Sequence, residues 1–266
     1  MPISDRFRDL LLGRFSRRAM LCFLTMTTLI FWGLILLAWL LYPRENSHSI
    51  MTHTFSFLGS FDDKHNPRWW WIFSIAMIFW GAVAVPLTLY IHRRFAALST
   101  WGAHVGAVLL FIGCINIALV GVFPDARGVV FGVARLGEVH KWVAILAGAG
   151  FILGIGWHGA LLLIDWVCAR LRQRPCIVAH RRLLPPYLFW SVMLSVAAWF
   201  LIAWEIRYAE MKAAAERAGT TIGSSWSEAL NTRYSFPLWE NICIYVLFVF
   251  LVWFSAVLAA SDGTRY

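Results

Sequence analysis

The chain has 266 residues, of which 60% are hydrophobic and only 14% charged, against roughly 25% charged in a soluble domain. That apolar excess excludes an ordinary water-soluble fold and requires lipid around most of the chain. The formal charge of +9 is explained by where the basic residues fall along the chain and implies no nucleic-acid partner.

Residues 1–19 carry five arginines against two aspartates. The uncharged run 20–42 follows. It is long enough to cross about 30 Å of hydrocarbon as a helix. It is also too long for the apolar part of a cleaved signal, and no small-x-small site follows it. It therefore reads as an uncleaved first span, closed by Pro43. The segment 43–68 holds three of the eight histidines, His48, His53 and His65, and the acids Asp62 and Asp63. Projected as a helix, residues 49–61 place Ser49, His53, Ser56 and Ser60 on one face. Met51, Phe55, Leu58 and Phe61 take the other. This predicts an amphipathic or re-entrant helix of about three turns between spans one and two. Asn66 and Pro67 then read as N-cap and first helical position.

Span two is expected over 69–91, with Pro86 inside it, and span three over 101–123, stopped by Pro124. Span four covers 139–165. An arginine-rich segment, 166–185, leads to Pro185 and Pro186 at the start of span five, 186–206. The following RYAEMKAAAERAG has strong helix formers and a glycine stop, so span five is expected to project beyond the membrane. Pro237 opens span six, 238–260. The fold class is all-α: one integral-membrane domain, 1–266, of six transmembrane helices.

Thirteen Lys and Arg residues lie in the segments that share a side with the N-terminus and nine in those opposite. The short loops show the bias most clearly. Residues 92–100 carry two basic residues and no acid, whereas 124–138 carry two of each. The positive-inside rule therefore predicts a multi-pass protein of the cell (inner) membrane with cytoplasmic N- and C-termini. Trp69, Trp70, Trp71, Trp101, Trp142, Trp166, Trp204 and Trp239 fall at predicted span ends, as an interfacial aromatic belt does. The five cysteines have no CxxC or zinc spacing and read as small membrane-core residues. Gly102, Gly106, Gly148, Gly150, Gly154 and Gly156, with Asn116, read as helix-packing features.

Polar residues sort into two clusters on this layout. The outer one contains His48, His53, Ser56, Asp62, Asp63, His65, Asp125, Glu138, His140 and Glu240. Within it His53, Ser56, Asp62, Asp125 and His140 are the candidate ligand-binding residues. Histidine, serine and aspartate together can bind a lipid headgroup or a metal ion, or act as base and nucleophile. The metal candidates are His53, Asp62 and His140. The inner cluster contains His92, His104, His158 and Asp165.

Two stretches carry a family resemblance. TFSFLGSFDDKHNPRWWWIF leads from an S-x-L-G segment through polar residues and a proline into span two. GVFPDARGVVFGVARLGEVHKWVAILAGAGF sets a Phe-Pro-acid turn before a histidine that opens span four. Together they resemble the DRAM-like six-helix membrane proteins and their uncharacterised prokaryotic relatives. The resemblance covers roughly 60 residues of motif and the six-span layout. It implies cytoplasmic termini and a link to lipid handling, and it carries over Ser56, Leu58, Gly59, Pro67, Pro124, Asp125 and His140.

No Walker, GxSxG, HExxH or dinucleotide motif occurs. The leading expectation is a protein embedded in the lipid bilayer that binds a lipid or a membrane-protein partner at its extracytoplasmic face. One alternative is a metal-dependent intramembrane lipid hydrolase using Ser56, His53, Asp62 and His140, although an HxxxH pair is missing. A second is a b-type haem electron carrier, although His140 and His158, about 27 Å apart on one helix, are far apart for two stacked haems. No cofactor is specified by any motif. No span carries a charged residue near its centre, which argues against a transport pathway.

Overall fold

The computed structural model describes residues 8–126, 129–131, 134–173, 175–176, 180–220 and 232–261. Six long helices account for most of them: α1 (Arg17–Leu40), α2 (Trp70–Phe95), α3 (Thr100–Val122), α4 (Leu136–Leu171), α5 (His180–Arg217) and α6 (Phe236–Ala260). Each is long and apolar enough to cross a membrane. Two two-residue strands, β1 (Val130–Phe131) and β2 (Ala134–Arg135), pair antiparallel between α3 and α4.

Local chemistry sets the helix ends. Ser16 caps α1, its Oγ accepting from the Ala19 N–H at 3.2 Å, so the helix begins before the apolar run. Ser99 caps α3 in the same way through the Gly102 N–H, at 3.0 Å. Both serines quiet one of the unpaired N–H groups of a helix start. Pro43 and Pro124 lie just past the ends of α1 and α3, where they cannot continue a helix. At the far end of α5, Gly219 sits at φ +63°. The Thr220 N–H reaches the Ala215 carbonyl at 2.9 Å and the Gly219 N–H reaches Glu216 at 3.2 Å. This paired closure is the Schellman arrangement, and a left-handed glycine suits it.

Two boundaries differ from expectation. α4 runs past 139–165 at both ends, to Leu136 and Leu171. α5 starts at His180, so Pro185 and Pro186 lie inside its first two turns. There the lost N–H groups free only the carbonyls of an exposed helix start, which water can satisfy. At 38 residues, α5 extends about 57 Å, nearly twice a hydrocarbon core, and so projects as the helix-forming tail predicts.

The segment between α1 and α2 departs further. It contains no three-turn α-helix. It folds as turns, a 3-10 turn at Arg44–Asn46 and a 3-10 helix at Phe55–Gly59. Its polar side chains bond locally instead of facing one way. Ser49 Oγ accepts from the Met51 N–H, Thr52 Oγ1 meets His53 Nδ1, and Thr54 Oγ1 meets Ser56 Oγ. Such bonds compete with the helical ladder.

α3 packs between α2 and α4 at close range. A Cβ at Gly81 would collide with the Cys114 carbonyl, one at Gly121 with the Ser74 carbonyl, and one at Gly150 with the Gly113 backbone. Small residues permit this approach where burial from water supplies no drive. Gly102, Gly106 and Gly154 serve the same α3–α4 seam, whereas Gly148 and Gly156 face open space. Asn116 donates to the Ile112 carbonyl of its own helix. Phe31 of α1 joins Trp80 of α2 and Phe248 of α6 at centroid distances of 5.1 and 4.9 Å. α5 rests on α6 through Tyr187 against Phe250 and Phe254. α4 and α5 meet only over a short stretch, where the Tyr187 hydroxyl donates to the Ile155 carbonyl at 3.3 Å.

Arg93 donates to the Leu12 carbonyl and Arg182 to the Ala260 carbonyl. The N-terminal residues and the end of α6 therefore share one end of the bundle. The segment 43–69 covers the other.

Candidate functional site at the capped end

The cap is held down by a few polar anchors and two buried apolar side chains. Phe55 and Leu58 are 3% and 2% exposed. Gly59 lies flat on the Phe73 ring of α2, with no room for a Cβ, which gives the glycine of the S-x-L-G motif a steric reason. Asn66 is fully buried. Its Nδ2 donates to the Leu58 carbonyl at 2.8 Å, and its Oδ1 accepts from the Trp69 N–H at 3.2 Å. One side chain thus closes the cap and caps the turn that enters α2, close to the role its place before Pro67 predicts. Pro67 itself is exposed. From α6, Asn241 Nδ2 donates to the His53 carbonyl at 3.1 Å, and Ser235 Oγ donates to the Met51 carbonyl.

Under these anchors the predicted residues divide into two neighbourhoods. The first is aromatic. Tyr42, His48, His53, Phe57 and His65 form one group, with His48 and His53 centroids 5.3 Å apart, His53 and His65 6.3 Å apart, and Phe57 stacked on His65 at 3.9 Å. The Tyr42 hydroxyl lies 3.1 Å from His65 Nδ1. Burial pushes His48 down from 6.5 to about 4; the neighbouring His53 and His65 push the same way, while its bond to the Thr54 carbonyl opposes them. Burial also lowers His53, with the Ser49 backbone bond opposing, and raises Tyr42. His48 and His53 therefore pack as uncharged rings at neutral pH.

The second neighbourhood is acidic. Thr54 Oγ1 lies 3.0 Å from Ser56 Oγ, and Ser56 Oγ donates to Asp125 Oδ2 at 3.0 Å. Ser56 and Asp125, 69 positions apart in sequence, are thus brought together by the fold. Glu240, in the first turns of α6, lies close enough for the Asp125 charge to act on it. Its Oε2 is inaccessible to solvent and lacks a hydrogen-bond partner, as does Oδ1 of the adjacent Asn241. Among the described residues no ion pair engages either carboxylate. Among the described residues, Glu240 Oε2 and Asn241 Oδ1 thus remain acceptors without a donor.

The remaining predicted residues lie elsewhere. His140 is 5% exposed, and its Nδ1 donates to the Phe123 carbonyl at 2.6 Å, tying the start of α4 to the end of α3. Asp62 is half-buried, its N–H on Ser60 Oγ. His53, Asp62 and His140 do not assemble into a three-ligand group: among the described residues the one set of that kind is Asp165, Cys176 and His180, at the opposite end. There His92 and His104 also stand edge to face at 4.7 Å. His158 is buried against Phe95 and Gly106 and donates from Nδ1 to the Gly154 carbonyl. The cavity beside His158 measures about 10 Å³, room for one water at most.

Sequence reasoning placed Glu240 in the outer cluster without selecting it, and passed over Ser235 and Asn241. A usable signal was present. Glu240 and Asn241 are the two polar residues opening an otherwise apolar span, and such residues rarely occur there without a task.

No protein-family model, curated protein or solved structure matches this chain.

Proposed function

We propose that this chain is a multi-pass protein of the cell (inner) membrane, termini cytoplasmic, that binds the amine-bearing headgroup of a membrane lipid at its extracytoplasmic end. One observation carries the reading: Glu240 Oε2 is shielded and partnerless, within electrostatic reach of the Asp125 carboxylate that Ser56 already engages. A carboxylate shielded from water calls for a charged donor, and an ammonium headgroup at the membrane surface is the nearest abundant one. The resemblance to DRAM-like proteins, with its link to lipid handling, points the same way.

The positive-inside distribution supports the orientation. The two-sided contact of the cap with α1, α2 and α6 supports a fixed rather than a mobile cover. The hydrolase alternative gains little here, because the partner of Ser56 is an aspartate and no histidine base is bonded to it. The haem alternative gains as little, because the space beside His158 is water-sized.

The test is lipid binding to purified protein by native mass spectrometry, comparing phosphatidylethanolamine with phosphatidylglycerol. The reading expects preferential retention of the amine lipid, weakened roughly tenfold or more in Glu240→Gln, the loss of one charge-assisted hydrogen bond. Equal retention of both lipids rejects it.

A further inference from the structure

The second polar centre lies at the end of the bundle that holds the termini. Asp165, six residues before the end of α4, is 4% exposed. Its Oδ2 meets Nε2 of His180, the first residue of α5, at 2.9 Å. Cys176 precedes His180 by four positions. One ligand atom from each of the three residues lies within 4.8 Å of the others. The side chains come from two helices and the connection between them, so the fold and not sequence proximity assembles them.

We infer that Asp165, Cys176 and His180 form a site for a divalent transition metal of the zinc class, separate from the capped end. Imidazole nitrogen, thiolate sulfur and carboxylate oxygen are the donor set of such ions, at bond lengths of about 2.0–2.3 Å. The three atoms need to draw together by only about an ångström to share one ion. Cys176 is exposed and Asp165 buried, so the ion enters from the aqueous side and is fixed from the protein side. Three protein ligands leave the fourth tetrahedral position to water. Binding releases the Cys176 thiol proton to solvent, and the Nε2 proton that His180 shares with Asp165 passes through solvent to Nδ1, which frees Nε2 for the metal. The bound ion clamps the end of α4 to the start of α5, two helices that otherwise touch only briefly.

The experiment uses the full chain in detergent with a non-thiol reductant, stripped by chelator and titrated with Co²⁺. The expected result is one equivalent bound, with a thiolate-to-cobalt charge-transfer band and tetrahedral d–d bands. Cys176→Ser abolishes the charge-transfer band, His180→Ala weakens binding at least tenfold, and Cys168→Ser changes neither. Cys176 is exposed, so its serine variant keeps the native helical circular dichroism. Absence of the sulfur band in the wild type, or its survival in Cys176→Ser, overturns the assignment.

Discussion

At the residue scale, the cap end is decided by side chains that leave no alternative geometry. Gly59 has the Phe73 ring where a Cβ would stand. Gly59→Ala must displace that ring or lift the cap, at a cost of about 1–3 kcal/mol, and should lower the thermal unfolding midpoint in detergent while Gly148→Ala, which faces open space, should not. Asn66 answers two needs with one amide, the Leu58 carbonyl and the Trp69 N–H. Its alanine variant strands a buried carbonyl, a loss of about 1–3 kcal/mol, which hydrogen exchange should register as faster exchange at residues 58–70. Glu240 differs in kind. It has an acceptor that the protein does not satisfy, and an unsatisfied buried acceptor is tolerated where a ligand completes it.

At the scale of the element, the segment 43–69 shows what could and could not be read from the sequence. Its place between α1 and α2 and its termination by Asn66 and Pro67 followed from apolar run lengths and turn residues, whereas only the fold pairs Ser56 with Asp125. Its conformation did not follow either. The spacing of Ser49, His53, Ser56 and Ser60 suits a helix, but serine and threonine oxygens satisfied nearby backbone and side-chain groups first, and periodicity carries no information on that competition. Glu240 was legible as an acid at a span end, yet only the fold puts it beside Asp125. The inner trio was hidden by distance, since Asp165 and His180 lie in different helices.

The same element predicts a pH response. His48 has a folded pKa of about 4 against 6.5, and His53 is lowered too. The unfolded or lifted cap therefore binds protons that the closed cap refuses, so the closed state is favoured above pH 6.5 and loses stability as pH falls from 6.5 towards 4. Hydrogen exchange at residues 48–65 should accelerate across that window, beyond the intrinsic pH dependence of exchange. His48→Gln should flatten the response.

At the scale of the molecule, six membrane-length helices place thirteen Lys and Arg residues in the segments that share an end with the termini and nine in those opposite. The seam α2–α3–α4 is closed by glycine contacts, α5 leans on α6, and α4 and α5 part over most of their length. With cytoplasmic termini, a membrane-impermeant maleimide added to intact cells should label an introduced Ser47→Cys in the exposed cap and leave Cys176 unlabelled until the membrane is opened. The reverse pattern would invert the orientation and place the cap inside.

The most direct measurement is the lipid preference of the purified chain by native mass spectrometry, wild type beside Glu240→Gln and Asp125→Asn. The account predicts retention of phosphatidylethanolamine over phosphatidylglycerol in the wild type, with that preference reduced roughly tenfold or more in each variant. A wild type that holds the two lipids equally, or variants that keep the preference intact, would contradict it.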